Sequence, residues 1–483
     1  MPPKRPLNVV FLVADELMAQ TVGCYGHPYV ETPAMDGLAG EGVRFTNTFT
    51  AHTKCVPSRA CFMTGRYPHL GGHRTLPGFM LRADEPNLAS MLKAAGYRTA
   101  MFGKNDTVAD DARDPSFDEI VDPSLRQDKP IRYGPAQNPE LTDQQFRAFY
   151  RGRHDAPHDT FFDAEVARLS ADFIARNRTG PFFLLANFIY PHPPYVEVPP
   201  WCDRLAAANL EPPRIEPLES CPPVLTHYRR CYDLETLARE DWLRIRRAYL
   251  SMTSFVDAQM ARVLAALDQA GLAEDTLVVA FSDHGDFAGA HGCVEKWDTF
   301  FYEEIVRVPL VMRLPGRLPV AAPDALVELT DLVPTVLDLL GMDRPDWIQG
   351  RSLVDLIDGK TDVVREHVFC QGGLETEAMA KAPDPDSPEA ARMRPTYYWK
   401  QVVLVRDPRS LARAKMIRTR RHKYVWRLHG EEELYDLVQD PGEFVNVAAQ
   451  PCCREVLADM RQRLIRALVE TETNQPPVGR LFA

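Results

Sequence analysis

Four short apolar runs in this chain each stop at groups able to handle an anion or a cation. Val9–Ala14 stops at Asp15-Glu16, and Thr99–Phe102 at Gly103-Lys104-Asn105-Asp106. Phe182–Phe188 leads to Tyr190-Pro191-His192-Pro193, and Thr276–Phe281 to Ser282-Asp283-His284-Gly285-Asp286. Carboxylate oxygens with one imidazole suit a hard divalent cation, so Asp15, Glu16, Asp283 and His284 are the candidate metal ligands. A fifth feature is Lys54-Cys55-Val56-Pro57-Ser58-Arg59, closed by Thr64-Gly65-Arg66. Pro57 suits a helix's first turn and Gly65 its end. Cys55 then stands at a helix N-terminus, where backbone N–H groups and the dipole favour an anion.

These groups can meet only if the runs are strands of one parallel sheet, because ligands bind outside the carboxyl ends of such strands. Helical patterns at Asn87–Ala95, Asp163–Arg176, Trp242–Ala270 and Asp331–Leu340 separate the runs, and Val308–Met312 reads as a further strand. Alternation of this kind predicts an α/β fold with a mostly parallel central sheet flanked by helices. Asp106 to Tyr150, Pro193 to Asp233 and Glu375–Pro395 read as irregular, the last as a linker. Beyond it, Lys415–Thr419 and Lys423–Arg427 predict antiparallel strands and Cys453–Glu470 a closing helix. The expected domains are residues 1–370, catalytic, and 371–483, a smaller α+β subdomain.

Composition narrows the function classes. The 483 residues carry a formal net charge of -11, which argues against a nucleic-acid binder. No apolar run reaches the ~18 residues a membrane helix needs. Lys4-Arg5 precedes a short apolar run that ends in Asp15-Glu16, which reads as a buried strand rather than an export signal. Ten scattered cysteines without a CxxC read as thiols, and the expected location is cytoplasmic.

Cys-x-Pro-Ser-Arg followed by Thr-Gly-Arg closely resembles the signature of the sulfatase family. Asn8 to Asp15, Glu31-Thr32-Pro33, Gly42-Val43-Arg44-Phe45, Ser282 to Asp286, Arg307-Val308-Pro309 and Glu433-Leu434-Tyr435-Asp436 extend the resemblance in order along the chain. It implies an alkaline-phosphatase-like fold and hydrolysis of a sulfate monoester, borne by a small molecule or a saccharide. It implies that a maturation enzyme oxidises Cys55 to formylglycine, whose hydrated form attacks sulfur. One cation, Ca²⁺ first and Mn²⁺ or Mg²⁺ otherwise, would be held by Asp15, Asp283, His284 and position 55. Glu16 stands where many members have a second Asp. Arg59 would hold the nucleophile, Lys104 and Lys296 the nonbridging oxygens, and His192 would act as general acid.

One departure stands out. Many members have an aromatic residue and then a histidine after Gly-Lys, where this chain has Asn105-Asp106. Asp106, or a histidine such as His73 or His154, would then be the base that breaks down the intermediate. A phosphonate monoester or phosphodiester hydrolase of the same superfamily remains an alternative, because both esters are tetrahedral anions. An inactive metal-pocket protein with unmodified Cys55 is a remoter one. A zinc phosphatase of the alkaline type would carry Ser or Thr at position 55.

Overall fold

Every residue of Asn8–Asp15 is buried, and its side chains alternate between two cores. Val10, Leu12 and Ala14 enter one and Val9, Phe11 and Val13 the other. A strand apolar on both faces must lie inside a covered sheet. The computed structural model describes residues 6–75, 79–125, 140–374 and 397–472. The expected linker Glu375–Pro395 lies outside them, as do residues 126–139 of the expected irregular stretch Asp106 to Tyr150.

In chain order the strands are β1 (Asn8–Asp15), β2 (Val43–Phe49), β3 (Arg98–Gly103), β4 (Glu119–Val121), β5 (Tyr150–Arg153), β6 (Phe182–Pro191) and β7 (Tyr195–Glu197). There follow β8 (Thr276–Ser282), β9 (Arg307–Arg313), β10 (Leu326–Glu328), β11 (Val368–Gly372), β12 (Ala414–Arg418), β13 (His422–Arg427) and β14 (Glu432–Asp436). An eight-stranded sheet runs in the order β10-β2-β9-β8-β1-β6-β3-β4. Strands β8, β1, β6, β3 and β4 are mutually parallel, and β9 alone opposes both its neighbours. The four strands whose ends carry the candidate site therefore finish on one edge, as the patterning requires.

Phe11 anchors the middle of the sheet, with ring centroids 5.4 Å from both Phe183 and Phe281 in edge-to-face contact. Such pairing adds about 0.5–1.5 kcal/mol to the burial of each ring. The expected helices appear at Leu88–Ala94, Phe162–Arg176, Leu332–Leu340 and, longest, Arg239–Ala270.

The stretch from Pro193 to Asp233 is more ordered than its prolines suggested. Pro223–Tyr232 is a ten-residue helix with Val224, Leu225, Tyr228, Cys231 and Tyr232 buried. Its proline sits in the first turn, where the missing N–H costs nothing, and the apolar spacing is that of one helical face. Within 106–150, Glu119–Val121 forms the far edge of the main sheet.

The second sheet, β11-β12-β13-β14, is antiparallel throughout, and the helix Arg454–Thr471 packs on it. The expected boundary at residue 371 falls inside β11. This sheet and the turn Pro408–Leu411 before β12 grip the stretch that follows Lys296. Trp297 Nε1 and Thr299 Oγ1 donate to the Ser410 carbonyl at 2.8 and 2.9 Å. Arg427 Nη1 donates to the Thr299 carbonyl at 2.9 Å, and Lys423 Nζ to that of Phe301 at 2.8 Å. Lys423 is fully buried and paired with Glu303 at 2.9 Å and Glu443 at 2.7 Å.

Candidate active site

Cys55 opens a ten-residue helix, Cys55–Thr64, in which every residue is buried. Lys54 is extended at its start, and Gly65, left-handed at φ 69°, ends it by donating to the Cys61 carbonyl at 2.8 Å. Ser58 docks the helix on the sheet edge, its hydroxyl donating to the Asp283 carbonyl at 2.6 Å. Two close approaches need glycine. A Cβ on Gly103 would lie 1.9 Å from the Asn187 carbonyl, and one on Gly285 1.9 Å from that of Glu304.

The side chain of Cys55 lies where three strand ends meet. Its Sγ is 3.2 Å from His284 Nε2, 3.5 Å from Asp15 Oδ1 and 3.6 Å from Lys104 Nζ. One ligand atom from each of Asp15, Cys55, Asp283 and His284 falls within 4.8 Å of all the others. Arg59, fully buried, donates from Nε to Asp283 at 3.0 Å and reaches Asp15 at 3.3 Å from Nη2. Lys104 Nζ is 2.6 Å from Asp15 and 3.0 Å from Asp106.

This set fits a divalent cation. Two carboxylates and an imidazole are hard-to-borderline donors. His284 Nδ1 is 3.0 Å from the Gly285 carbonyl, which can only accept, so the proton sits on Nδ1 and the Nε2 lone pair faces the cluster. Burial, with Lys296 adding to it, pushes His284 well below the ordinary imidazole value and keeps it a neutral ligand. Burial opposes the charge on Asp15, yet Lys104, with Arg59, outweighs it and holds the carboxyl well below its usual range. Burial and Asp15 push Asp283 up to about 6. Burial and Asp15 also push the Cys55 thiol well up, so as a cysteine this residue is a poor nucleophile.

Glu16 sits beside this quartet, grouped with Asp15 and His192. Its backbone is in the left-handed region at φ 66°, a strained conformation for a side chain of this size. It is fully buried, contacts Lys296 and His192, and neither carboxylate oxygen has an aligned hydrogen bond. Burial raises its carboxyl well above the usual value, with Lys296 opposing.

The remaining candidates fall on two sides. His192 Nδ1 lies 2.6 Å from the Pro193 carbonyl and so carries the proton, while Nε2 is 3.2 Å from Lys296 Nζ. Burial and the nearby Lys296 and Lys104 push His192 well below its ordinary value. With Nδ1 protonated, His192 Nε2 accepts from the Lys296 ammonium. Asp106 meets the site through Lys104. His73 is committed to the Phe79 carbonyl at 2.5 Å and Glu85 at 3.0 Å, and His154 packs its ring against Phe161 at 4.5 Å.

Sequence reading missed several neighbours. Glu295, fully buried, pairs with Lys296 at 3.2 Å and with Lys400, and Lys54 pairs with Asp298 at 3.2 Å. Glu295 and Lys54 adjoin residues already singled out, so position gave a signal. Lys400 comes from a distant segment and gave none.

Fold and site together define an α/β protein with a buried cluster of groups able to hold a cation at the carboxyl edge of its sheet. The chain belongs to the sulfatase family, whose profile matches residues 7–342. It is 29% identical over 509 residues to a multifunctional alkaline phosphatase superfamily protein, PehA, of Trinickia caryophylli, covering 95% of this chain and 94% of the relative. It is 25% identical over 492 residues to an arylsulfatase of Clostridium perfringens, again covering 95% and 94%. Its fold matches the phosphonate monoester hydrolase of Agrobacterium radiobacter with a TM-score of 0.75 at 24% identity, over 97% of this chain and 96% of that one. Among the described residues no helix is long and apolar enough to cross a membrane.

Proposed function

We propose that this protein hydrolyses a sulfate monoester to an alcohol and inorganic sulfate, with position 55, converted to formylglycine by a maturation enzyme, as nucleophile. The observation that carries this reading is the placement of Cys55 Sγ 3.2 Å from His284 and 3.5 Å from Asp15. When bound, a divalent cation supplies positive charge that polarises the oxygen at position 55 and the ester oxygens. Ca²⁺ suits the oxygen-rich set best, with Mn²⁺ or Mg²⁺ next.

The chain's own groups do the rest. Asp15, Asp283 and His284 hold the cation, with Glu16 at its margin. Arg59 keeps the two aspartates ionised and apart and fixes the side chain at 55 between them. Lys104 and Lys296 face the ester's nonbridging oxygens and offset charge that grows in the transition state. Lys296 and His192 share a proton at 3.2 Å and present it to the leaving oxygen. Asp106, fixed by Lys104, is the base for breakdown of the intermediate.

The Trinickia relative, named as multifunctional, favours a second reading as a phosphonate monoester or phosphodiester hydrolase. Ten unpaired cysteines support a cytoplasmic setting. The test is a panel of matched aryl sulfate, phenylphosphonate and phosphodiester substrates, alongside mass spectrometry of the Cys55 peptide. The sulfate ester should have the highest kcat/KM, and the peptide should show sulfur exchanged for oxygen. A higher kcat/KM for the phosphonate would replace the first reading with the second, and turnover by protein carrying only unmodified Cys55 would sink both.

A further inference from the structure

Lys296 does not stand on its own strand or helix. It follows Glu295, whose backbone is left-handed at φ 56°, inside a turn held by Tyr195. The Tyr195 hydroxyl donates to Asp286 Oδ1 at 2.6 Å and accepts from the Glu295 N–H at 2.7 Å. A non-glycine residue in this conformation persists only where surrounding contacts fix it.

The Glu295 carboxylate is fully buried and shared. One oxygen, Oε1, meets Lys296 Nζ at 3.2 Å and also Lys400 Nζ. Lys400 lies in the first turn of the helix Tyr398–Arg406, more than 100 residues along the chain. The same carboxylate feels Lys54, and Lys296 has two other partners, Glu16 and His192. Without Lys400, the buried Glu295 carboxylate would draw Lys296 more strongly onto itself, with only the Lys54 charge left to compete. Lys400, which burial lowers to about 7 while Glu295 opposes, donates to the same oxygen and divides the attraction. Lys400 thus leaves Lys296 free to turn part of its charge toward the substrate.

We infer that Lys400 is a positioning residue that acts through Glu295 to set the place and available charge of Lys296. The C-terminal part of the chain is then a working part of the site. This rests on the reading of Lys296 as a ligand of ester oxygens.

The test uses the full-length matured enzyme and an aryl sulfate. Lys400→Met keeps the aliphatic stem and removes the charge. It is expected to lower kcat/KM by about 10- to 100-fold, the usual effect of losing an outer-shell partner, with kcat carrying the loss and KM little changed. Lys400→Arg, which can still pair with Glu295, is expected to recover most of it. In a Lys296→Ala background, Lys400→Met should change nothing further, since both act on one element. Glu295→Gln provides a second break in the same chain, and melting curves establish that each variant is folded.

Wild-type activity in Lys400→Met, or a further loss in the Lys296→Ala background, overturns the inference. So does failure of Lys400→Arg to recover a folded enzyme. A Lys296→Ala enzyme as active as wild type sinks instead the reading of Lys296 itself, a pattern distinct from a harmful Lys296→Ala with a silent Lys400→Met.

Discussion

The two halves of the site are built differently. The nucleophile side, with Asp15, Asp283, His284 and Arg59 around Cys55, stands on strand ends and one buried helix, and none of these five side chains has measurable exposure. The substrate side, with His192, Glu295 and Lys296, stands on turns whose shape comes from Tyr195, Lys400 and the second sheet. Regular elements place a side chain through backbone hydrogen bonds, whereas turns place it through whatever packs against them. The first half should therefore fail by losing stability or chemistry outright, and the second by degrees.

The sharpest break is Cys55→Ala. It should reduce turnover by at least about 10³-fold while leaving the fold intact, the scale seen when a nucleophile is removed; steady-state kinetics and circular dichroism check both halves of that statement. Next is Arg59→Met, which leaves Asp15 and Asp283 buried without their shared cation. It should cost about 3–5 kcal/mol of stability in metal-stripped protein, and less with Ca²⁺ present, because a bound cation stabilises the folded state. Denaturant titrations with and without chelator read the difference, and equal losses in both would argue against a cation between these groups.

On the other side, Lys423→Met strips Glu303 and Glu443 of a buried partner. It should cost about 3 kcal/mol and lower kcat by loosening 297–303, without changing Ca²⁺ affinity measured by calorimetry. A parallel loss of Ca²⁺ affinity would erase the contrast between the halves.

The smallest effect concerns His291, whose Nδ1 is 2.9 Å from Glu216 and whose Nε2 is 3.8 Å from Glu304. Burial opposes its charge, but Glu216 and Glu304 outweigh burial and raise it above 6.5. A raised imidazole contributes stability that is complete below the unfolded value, near 6.5, and lost as pH climbs through the higher folded value. Melting temperature should fall over that interval in the wild type and fall less in His291→Asn.

The same division explains what could be read in advance. Val9–Ala14, Thr99–Phe102, Phe182–Phe188 and Thr276–Phe281 are apolar on both faces, and that pattern has one stable outcome, a covered parallel sheet with its polar ends aligned. Cys55 is legible from its place at a helix N-terminus, whereas the role of Arg59 comes only from the resemblance of Cys-x-Pro-Ser-Arg to the sulfatase signature. Glu16 is read among the ligands from its place beside Asp15; the structure groups it with Asp15 and His192 and also sets it against Lys296. His192 is read as the general acid because Pro-His-Pro-Pro matches the family histidine; the Lys296 ammonium 3.2 Å from its Nε2 is a neighbour that no local pattern encodes. Lys400 was invisible because its partner Glu295 is 105 positions away and the contact depends on how the last helices pack.

The hold of β12 and β13 on 297–303 also sets a timetable. Strand β10, the last of the main sheet, ends at residue 328, and β14 ends at 436. A ribosome moving at ~5–20 residues per second needs on the order of 10 s to cover that stretch. During that interval a nascent chain can assemble its cation cluster while the lysine that meets the substrate has no anchor. On the proposed function, turnover would then wait until synthesis of the chain is nearly finished.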